Sequence, residues 1–590
     1  MRIITIALLG AQVLTAAETY VLGPDSQPRA GVPQGIISKH TLEAGQFYPG
    51  TPHNYSLYIP ARYDASKPTP FMIFLDGSGS LGNGVRVPVV LDNLIAKGDL
   101  PPMIGIFVDP GVLPARSDQA QSRYERVFEY DSLSDRYSRF LLEELIPQVA
   151  KQYNLSPDPN HHAISGVSTG AVGAFAAAWN RPDQFRRVLS FIGTFVAMKG
   201  ADGLPALIRR TEPKPIRVFL QAGRNDHIVP TQLYGTFFGG SWPVNNQVML
   251  EALESAGYDA KLVLGDEGHN MKHGAAIMPE ALRWLWRGYP NPITVTEPVG
   301  KSREGWDSRG KVYATVAADQ PWQQVGATYG AVRSPAPDNA GHVYFADTSA
   351  GQIYKSGPDG KATLFKDKLV GVKSLAVGPD GRLYASFPSR KRILSFGPQG
   401  DEKVIAQNVE ADSIALTAKG VIYFADTAHR SIGMVDAGGK VRVAHQGQEI
   451  ARPTAVTLSP DQAMVQVADG QSRFSWSFQI AADGSLTHGE PFYRLEMPES
   501  GWMSGIEGIA EDTLGQVYFA GPLGVQVCEA NGRVAMILNP PEPGAVTSVT
   551  FAGPGLSWLY VAQGSKLFRR PTKVRGAAAW DLVKLPRPPL

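Results

Sequence analysis

The sequence predicts a multidomain chain: a mainly parallel α/β sheet with helices on both faces, followed by an all-β six-bladed propeller. Three observations predict it. The chain has 590 residues, more than a single hydrophobic core ordinarily serves. Up to about residue 290, short apolar runs alternate with helical stretches, the pattern of a parallel sheet covered on both faces. Beyond it the helical signal nearly vanishes, and an aromatic strand phrase recurs at about 40-residue spacing, the period of a propeller blade.

Composition narrows the classes. Hydrophobic residues make up 43% and charged residues 19%, the balance of a folded globular chain. A net charge of +2 gives no electrostatic reason to expect nucleic acid or an anionic membrane as partner. The N-terminal stretch MRIITIALLGAQVLTAAETY has one Arg, an apolar run and then small residues. It reads as a signal peptide over residues 1–17, with a buried first strand or helix as the alternative. The run is too short to span a bilayer, and no later segment is comparably apolar. A single cysteine, Cys528, rules out an internal disulfide. Together these predict a secreted or periplasmic protein, bacterial in style. Oligomeric state is not legible.

Residues 18–292 form the expected α/β domain. Its strands are PFMIFLDG (70–77), MIGIFVDP (103–110), HHAISGVS (161–168), IRVFLQAG (216–223) and KLVLGDEGH (261–269). NYSLYIP (54–60) precedes them as an antiparallel lead-in. Helical stretches intervene at 134–153, 171–182 and 245–258, and MPEALRWLWRGY (278–289) closes the half. Residues 293–320, polar and containing Gly and Pro, read as a linker or propeller-closing segment. Residues 321–590 form the expected propeller. HVYFADT (342–348) recurs as RLYASFP (382–388), VIYFADT (421–427), MVQVADG (464–470), QVYFAGP (516–522) and WLYVAQG (558–564). Turns such as GPDG at 357–360 and 378–381 punctuate the units. A β-sandwich would show regular turns but not whole recurring phrases.

The chemistry centres on HAISGVSTGAVGAF (162–175). G-x-S-x-G alone is weak in a chain with 62 glycines. Here an apolar strand ends at Ser168 and a small-residue helix follows, the setting of a strained strand-to-helix turn that exposes a nucleophile. Such a serine needs a base and an orienting acid, in the order Ser, Asp/Glu, His. Asp226 follows one strand, with Asp266 and Glu267 as competitors. His269 follows another, directly after Gly268, with His273 as the alternative base. Oxyanion donors are expected from the N–H of Thr169, at a helix start, and from an N–H near Gly77 in FLDGSGS.

These stretches, with SLYIPARYD (56–64), RVFEYDSLSDRYSRFLLEELIPQV (126–149), LQAGRND (220–226), WPVNNQVMLEALESAGYD (242–259) and GHNMKHG (268–274), resemble the enterochelin-esterase/feruloyl-esterase (esterase D-like) group of α/β-hydrolases. The resemblance covers roughly residues 35–290 and implies Ser168, Asp226 and His269 as the triad. Asp76, Glu129, Tyr130, Trp242 and His273 are candidates for substrate contact; the Glu129–Asp131 stretch could equally brace the fold. Ala171 departs from the glycine of many members.

The second half resembles the gluconolactonase/senescence-marker/luciferin-regenerating propellers, through SLAVGPDGRLYAS (374–386), SIALTAKGVIYFADT (413–427), TAVTLSPDQ (454–462) and GIAEDTLGQVYFAGPLGVQVC (508–528). That resemblance implies a central divalent cation on oxygen ligands. At the corresponding positions this chain has Arg333, Thr454 and Glu507, so neither a metal nor any other cofactor is expected. The resulting expectation is an exported serine esterase acting on small-molecule or polysaccharide esters, of acylated-sugar, feruloyl or acetyl type. Its propeller would bind or cover. A metal lactonase in the propeller and a non-catalytic carbohydrate-binding protein are the alternatives.

Overall fold

The computed structural model describes residues 19–228, 231–233, 236–295, 314–317 and 320–585. The expected signal stretch 1–17 and most of the expected joint 293–320 lie outside them. The described residues divide into two compact units, the first within Met1–Pro205, Lys214–Glu254 and Tyr258–Val295 and the second within Ala206–Pro213, Ser255–Gly257 and Thr296–Leu590.

The first unit is built on eight strands: β1 (Ile36–Leu42), β2 (His53–Ile59), β3 (Phe71–Leu75), β4 (Ile104–Val108), β5 (His162–Val167), β6 (Arg187–Phe191), β7 (Arg217–Gly223) and β8 (Asp259–Gly265). They hydrogen-bond in the order β1-β2-β4-β3-β5-β6-β7-β8. β2 runs antiparallel to both neighbours, and the pairs from β4 to β8 are all parallel. Every residue of β3 is buried. Met72 and Phe74 join an apolar cluster with Val90, Leu91 and Leu94 of helix α1 (Val87–Lys97), and Phe71, Ile73 and Leu75 are buried outside it. Alternate side chains of one strand thus enter different cores, which is why these runs read as continuously apolar. Helix α2 (Thr169–Asn180) packs on β5 and β6. Helix α3 (Trp242–Ser255) follows β7, and helix α4 (Met278–Trp286) closes the unit with Leu282 and Leu285 in the same cluster as α1.

Three elements differ from the sequence reading. β6 and α1 were not expected. β6 is a five-residue run headed by a buried arginine, Arg187, so its apolar signal is short. The single helix expected over 134–153 is an α turn at Arg136–Phe140, a π turn at Leu141–Leu145 and an α turn at Ile146–Ala150. Pro147 has no N–H to return to the preceding turn, and the widened turn absorbs the lost bond.

The second unit is a propeller of six four-stranded sheets. The first five run in chain order from Val332–Pro337 to Val534–Leu538. In the sixth, Gln323–Val325 pairs with Lys566–Pro571, so the two ends of the unit share one blade and close the ring. The recurring Asp has a physical role. Asp347 accepts backbone N–H groups from Gly330, Ala331, Ser349 and Ala350, and Asp469 repeats this with Ala451, Arg452, Gln471 and Ser472. Each carboxylate ties the entry of its blade to the turn after its second strand. Gly360 and Gly381 end their GPDG turns at φ 80° and 74°, a region costly for other residues. Among the described residues no helix is long and apolar enough to cross a membrane.

Beside β3 and α2, the short helix Arg126–Tyr130 brings acidic groups inside the first unit. Glu129 is fully buried and accepts from the N–H of Gly111 at 3.0 Å, with His53 Nε2 at 2.9 Å. Asp131 is 5% exposed. Burial outweighs the pull of Lys199 and Arg126 and pushes its carboxyl from 3.8 up to about 6. The folded state therefore holds this proton to higher pH than the unfolded chain does. The stability it contributes is complete below about pH 4 and is lost as pH rises through about 6. Asp131→Asn should flatten the decline in melting temperature of this unit between pH 4 and 6. An equal decline in wild type and variant would remove Asp131 as its source.

Candidate active site

The carboxyl ends of β3, β5, β7 and β8 gather the candidate residues, as expected where ligands meet an open parallel sheet. Ser168 follows β5 and precedes α2. Its backbone stands at φ 57°, ψ −121°, an unfavourable conformation for a residue with a Cβ. The chain around it allows nothing larger than glycine at Gly166, where an added Cβ would lie 1.9 Å from the carbonyl oxygen of Gly170. Ser168 N–H donates to Phe191 O of β6 at 2.9 Å, and Ser168 O accepts from Thr194 N–H at 3.2 Å. The strained residue is thus pinned on both sides of its peptide unit.

Ser168 Oγ lies 2.9 Å from His269 Nε2. His269 Nδ1 lies 2.9 and 3.1 Å from the two carboxylate oxygens of Asp226. Asp226 is buried, whereas the His269 side chain is 27% exposed. The N–H of His227 also donates to Asp226 at 2.7 Å, fixing the carboxylate. The alternatives are elsewhere engaged. Asp266 pairs with Arg224, and Glu267 accepts from Asn270. His273 is 3% exposed, with its ring tilted against that of Tyr20 at 4.2 Å and a ring nitrogen 3.1 Å from Gln221 Nε2. Asp226, His227 and His269 offer ligand atoms within 4.8 Å of one another, but both His269 nitrogens already face Asp226 and Ser168.

The expected oxyanion residues lie beside this line. Thr169 opens α2, so its N–H has no acceptor within the helix. Gly77 opens a short turn of helix after β3, and a Cβ there would sit 2.3 Å from the backbone of Phe107. Arg126 joins the two loops. It forks onto both Asp76 oxygens at 2.7 Å each, donates to Thr169 Oγ1 at 2.8 Å, and reaches Val167 O at 3.1 Å. The sequence reading passed over Arg126. Its position three residues before Glu129 in RVFEY was the available signal.

Several candidates for substrate contact are instead internal. Glu129 and Tyr130 are fully buried, and the Tyr130 hydroxyl accepts from the N–H of Asp76 at 3.3 Å. Asp76 is committed to Arg126. Trp242 is 1% exposed, edge-on to His269 at 5.5 Å, with its indole N–H donated to Thr194 Oγ1 at 3.3 Å. Glu129, Tyr130, Trp242 and His273 therefore brace the site from beneath, because their polar ends find partners inside the fold.

On the propeller axis, a cavity of about 300 Å³ is lined by strands of all six blades. Arg333 forms an ion pair with Glu507 at its mouth. Thr454 Oγ1 donates to Ile506 O at 2.8 Å. A guanidinium on the carboxylate and a hydroxyl that donates its proton do not make an oxygen cage for a hard cation. The residues present do not fit a divalent metal there.

Comparison with known proteins follows the same division. Residues 48–287 match the family model described as "Putative esterase", and residues 425–565 match the SMP-30/gluconolactonase/LRE-like region. The iron(III) enterobactin esterase of Dickeya dadantii is 25% identical over 249 residues, covering 39% of this chain and 51% of that protein. The chain thus spans about half the length of that relative. Among solved structures, the enterobactin esterase of Shigella flexneri is 18% identical, covering 43% of this chain and 61% of that one at a TM-score of 0.34. A gluconolactonase from Xanthomonas campestris is 18% identical, covering 44% and 92% at a TM-score of 0.39. Residues 48–287 thus match the Esterase family model, and part of the six-bladed propeller that follows matches an SMP-30/gluconolactonase/LRE-like region.

Proposed function

We propose that the first unit is a serine carboxylic-ester hydrolase with Ser168, His269 and Asp226 as its triad. The observation that carries this is the unbroken hydrogen-bonded line from Ser168 Oγ through His269 to Asp226, at 2.9 Å in each step. Ser168 Oγ attacks the ester carbonyl while its proton passes to His269 Nε2. Asp226, holding Nδ1–H, keeps the imidazole in the tautomer that can accept there and stabilises the imidazolium. The N–H groups of Thr169 and at Gly77 receive the oxyanion. His269 then protonates the leaving alcohol. Water, deprotonated by the same imidazole, attacks the acyl-enzyme and releases the acid.

The substrate is an acylated sugar or plant-polysaccharide ester of feruloyl or acetyl type, and the chain is exported before it acts. The substrate class rests on the resemblance to feruloyl esterases; export rests on the N-terminal residue pattern. The propeller serves in binding or covering rather than in metal chemistry, which the Arg333–Glu507 pair supports. Hydrolysis of p-nitrophenyl acetate and methyl ferulate tests the reading. Activity should persist in EDTA and vanish in Ser168→Ala. Activity that survives Ser168→Ala but is lost in EDTA would move the chemistry to a metal site.

Arg126 sets where the two oxyanion donors stand, through Asp76 on one side and Thr169 on the other. Arg126→Gln keeps donors but loses the fork and the charge. Its kcat on p-nitrophenyl acetate should fall roughly 10- to 100-fold with little change in KM. A rise in KM at constant kcat would instead assign Arg126 to substrate binding.

A further inference from the structure

We propose that Thr194 is a positioning residue for the nucleophile: its hydroxyl donates a hydrogen bond to Ser168 Oγ and holds that oxygen aimed while its proton leaves toward His269. This rests on the serine-hydrolase reading above. Thr194 Oγ1 lies 3.1 Å from Ser168 Oγ, and the residue is 3% exposed.

Donor and acceptor inventories fix the direction of the bond. An indole N–H can only donate, so Trp242 Nε1, 3.3 Å away, makes Thr194 Oγ1 an acceptor. A carboxylate can only accept, so Asp226 takes the proton on His269 Nδ1. His269 Nε2 is then the acceptor of the Ser168 proton, 2.9 Å away. Ser168 Oγ has spent its one proton and can only accept from Thr194. The chain therefore runs one way, from Trp242 through Thr194, Ser168 and His269 to Asp226.

The hydroxyl is held there by its backbone. Thr194 N–H donates to Ser168 O at 3.2 Å. The carbonyls on either side are tied to α3: Gly193 O accepts from Asn246 Nδ2 at 2.9 Å and Phe195 O from Asn245 Nδ2 at 2.7 Å. A donor fixed on Oγ acts when the Ser168 proton moves to His269 Nε2 and Oγ bonds to the acyl carbon. The Thr194 proton stays on its own oxygen throughout and stabilises the charge developing on Oγ. When the acyl-enzyme breaks, Oγ is the leaving oxygen and the same donor assists it.

The test uses the full chain with a fluorophosphonate probe, which reads Ser168 reactivity without knowledge of the natural substrate, and p-nitrophenyl acetate for kcat and KM. Thr194→Val should be labelled about tenfold more slowly, the scale of one lost hydrogen bond to a developing charge. Its kcat should fall in proportion with KM unchanged, and Thr194→Ser should restore both. If the valine variant does not fold, as judged by circular dichroism and melting, Thr194→Ala reads the same loss. Wild-type labelling with equal rates in the folded Thr194 variants would overturn this inference alone. A wild type that is not labelled would overturn the serine-hydrolase reading and this inference with it.

Discussion

The site depends on one backbone constraint: a residue with a side chain is held at φ 57° where β5 turns into α2. Such a conformation costs on the order of 1–3 kcal/mol and persists only where the surroundings over-determine it. Here they do. β6 takes the Ser168 N–H through Phe191 O, and the loop after β6 gives an N–H back to the Ser168 carbonyl. Gly166 and Gly170 pass too closely for any Cβ between them. The strain has a geometric return, since it lifts Oγ clear of the sheet and leaves the first turn of α2 open beside it.

Around that fixed point, buried polar groups are ordered by what they can and cannot donate. Arg126 offers only donors and gathers Asp76, Thr169 and Val167 O around one guanidinium. Glu129 and Tyr130, a few residues on, fasten the same helix to Gly111 and to the loop after β3. The side chains beneath the site thus set distances between loops that belong to different strands. This is why they are buried rather than presented to a ligand, and why their polarity invites misreading as substrate contact.

Much of this was legible in the sequence, for definite reasons. Ser168, Asp226 and His269 each follow the end of an apolar strand, and strand ends are where a parallel sheet exposes chemistry. The recurring aromatic phrase signalled blades, and in two of them its Asp, Asp347 and Asp469, holds four backbone N–H groups. What escaped had weaker local signals. β6 is five residues long and begins with a buried arginine. The break in the 134–153 helix needs a π turn that no apolar periodicity encodes. Arg126 and Thr194 act through partners 26 to 50 residues away, and no spacing rule reaches that far.

The propeller separates what closes the fold from what lines its axis. Six blades close through the pairing of Gln323–Val325 with Lys566–Pro571, residues that do not line the axial cavity. The axis is free to change. Arg333 and Glu507 form an internal ion pair there, and Thr454 gives its hydroxyl proton to a backbone carbonyl. Both contacts satisfy these polar groups within the protein. A single substitution, such as Arg333→Glu, would set two carboxylates beside a hydroxyl that still donates to Ile506 O. Building a cation site there therefore takes more than charge: the hydroxyl of Thr454, which now donates to Ile506 O, must also become an acceptor for the ion.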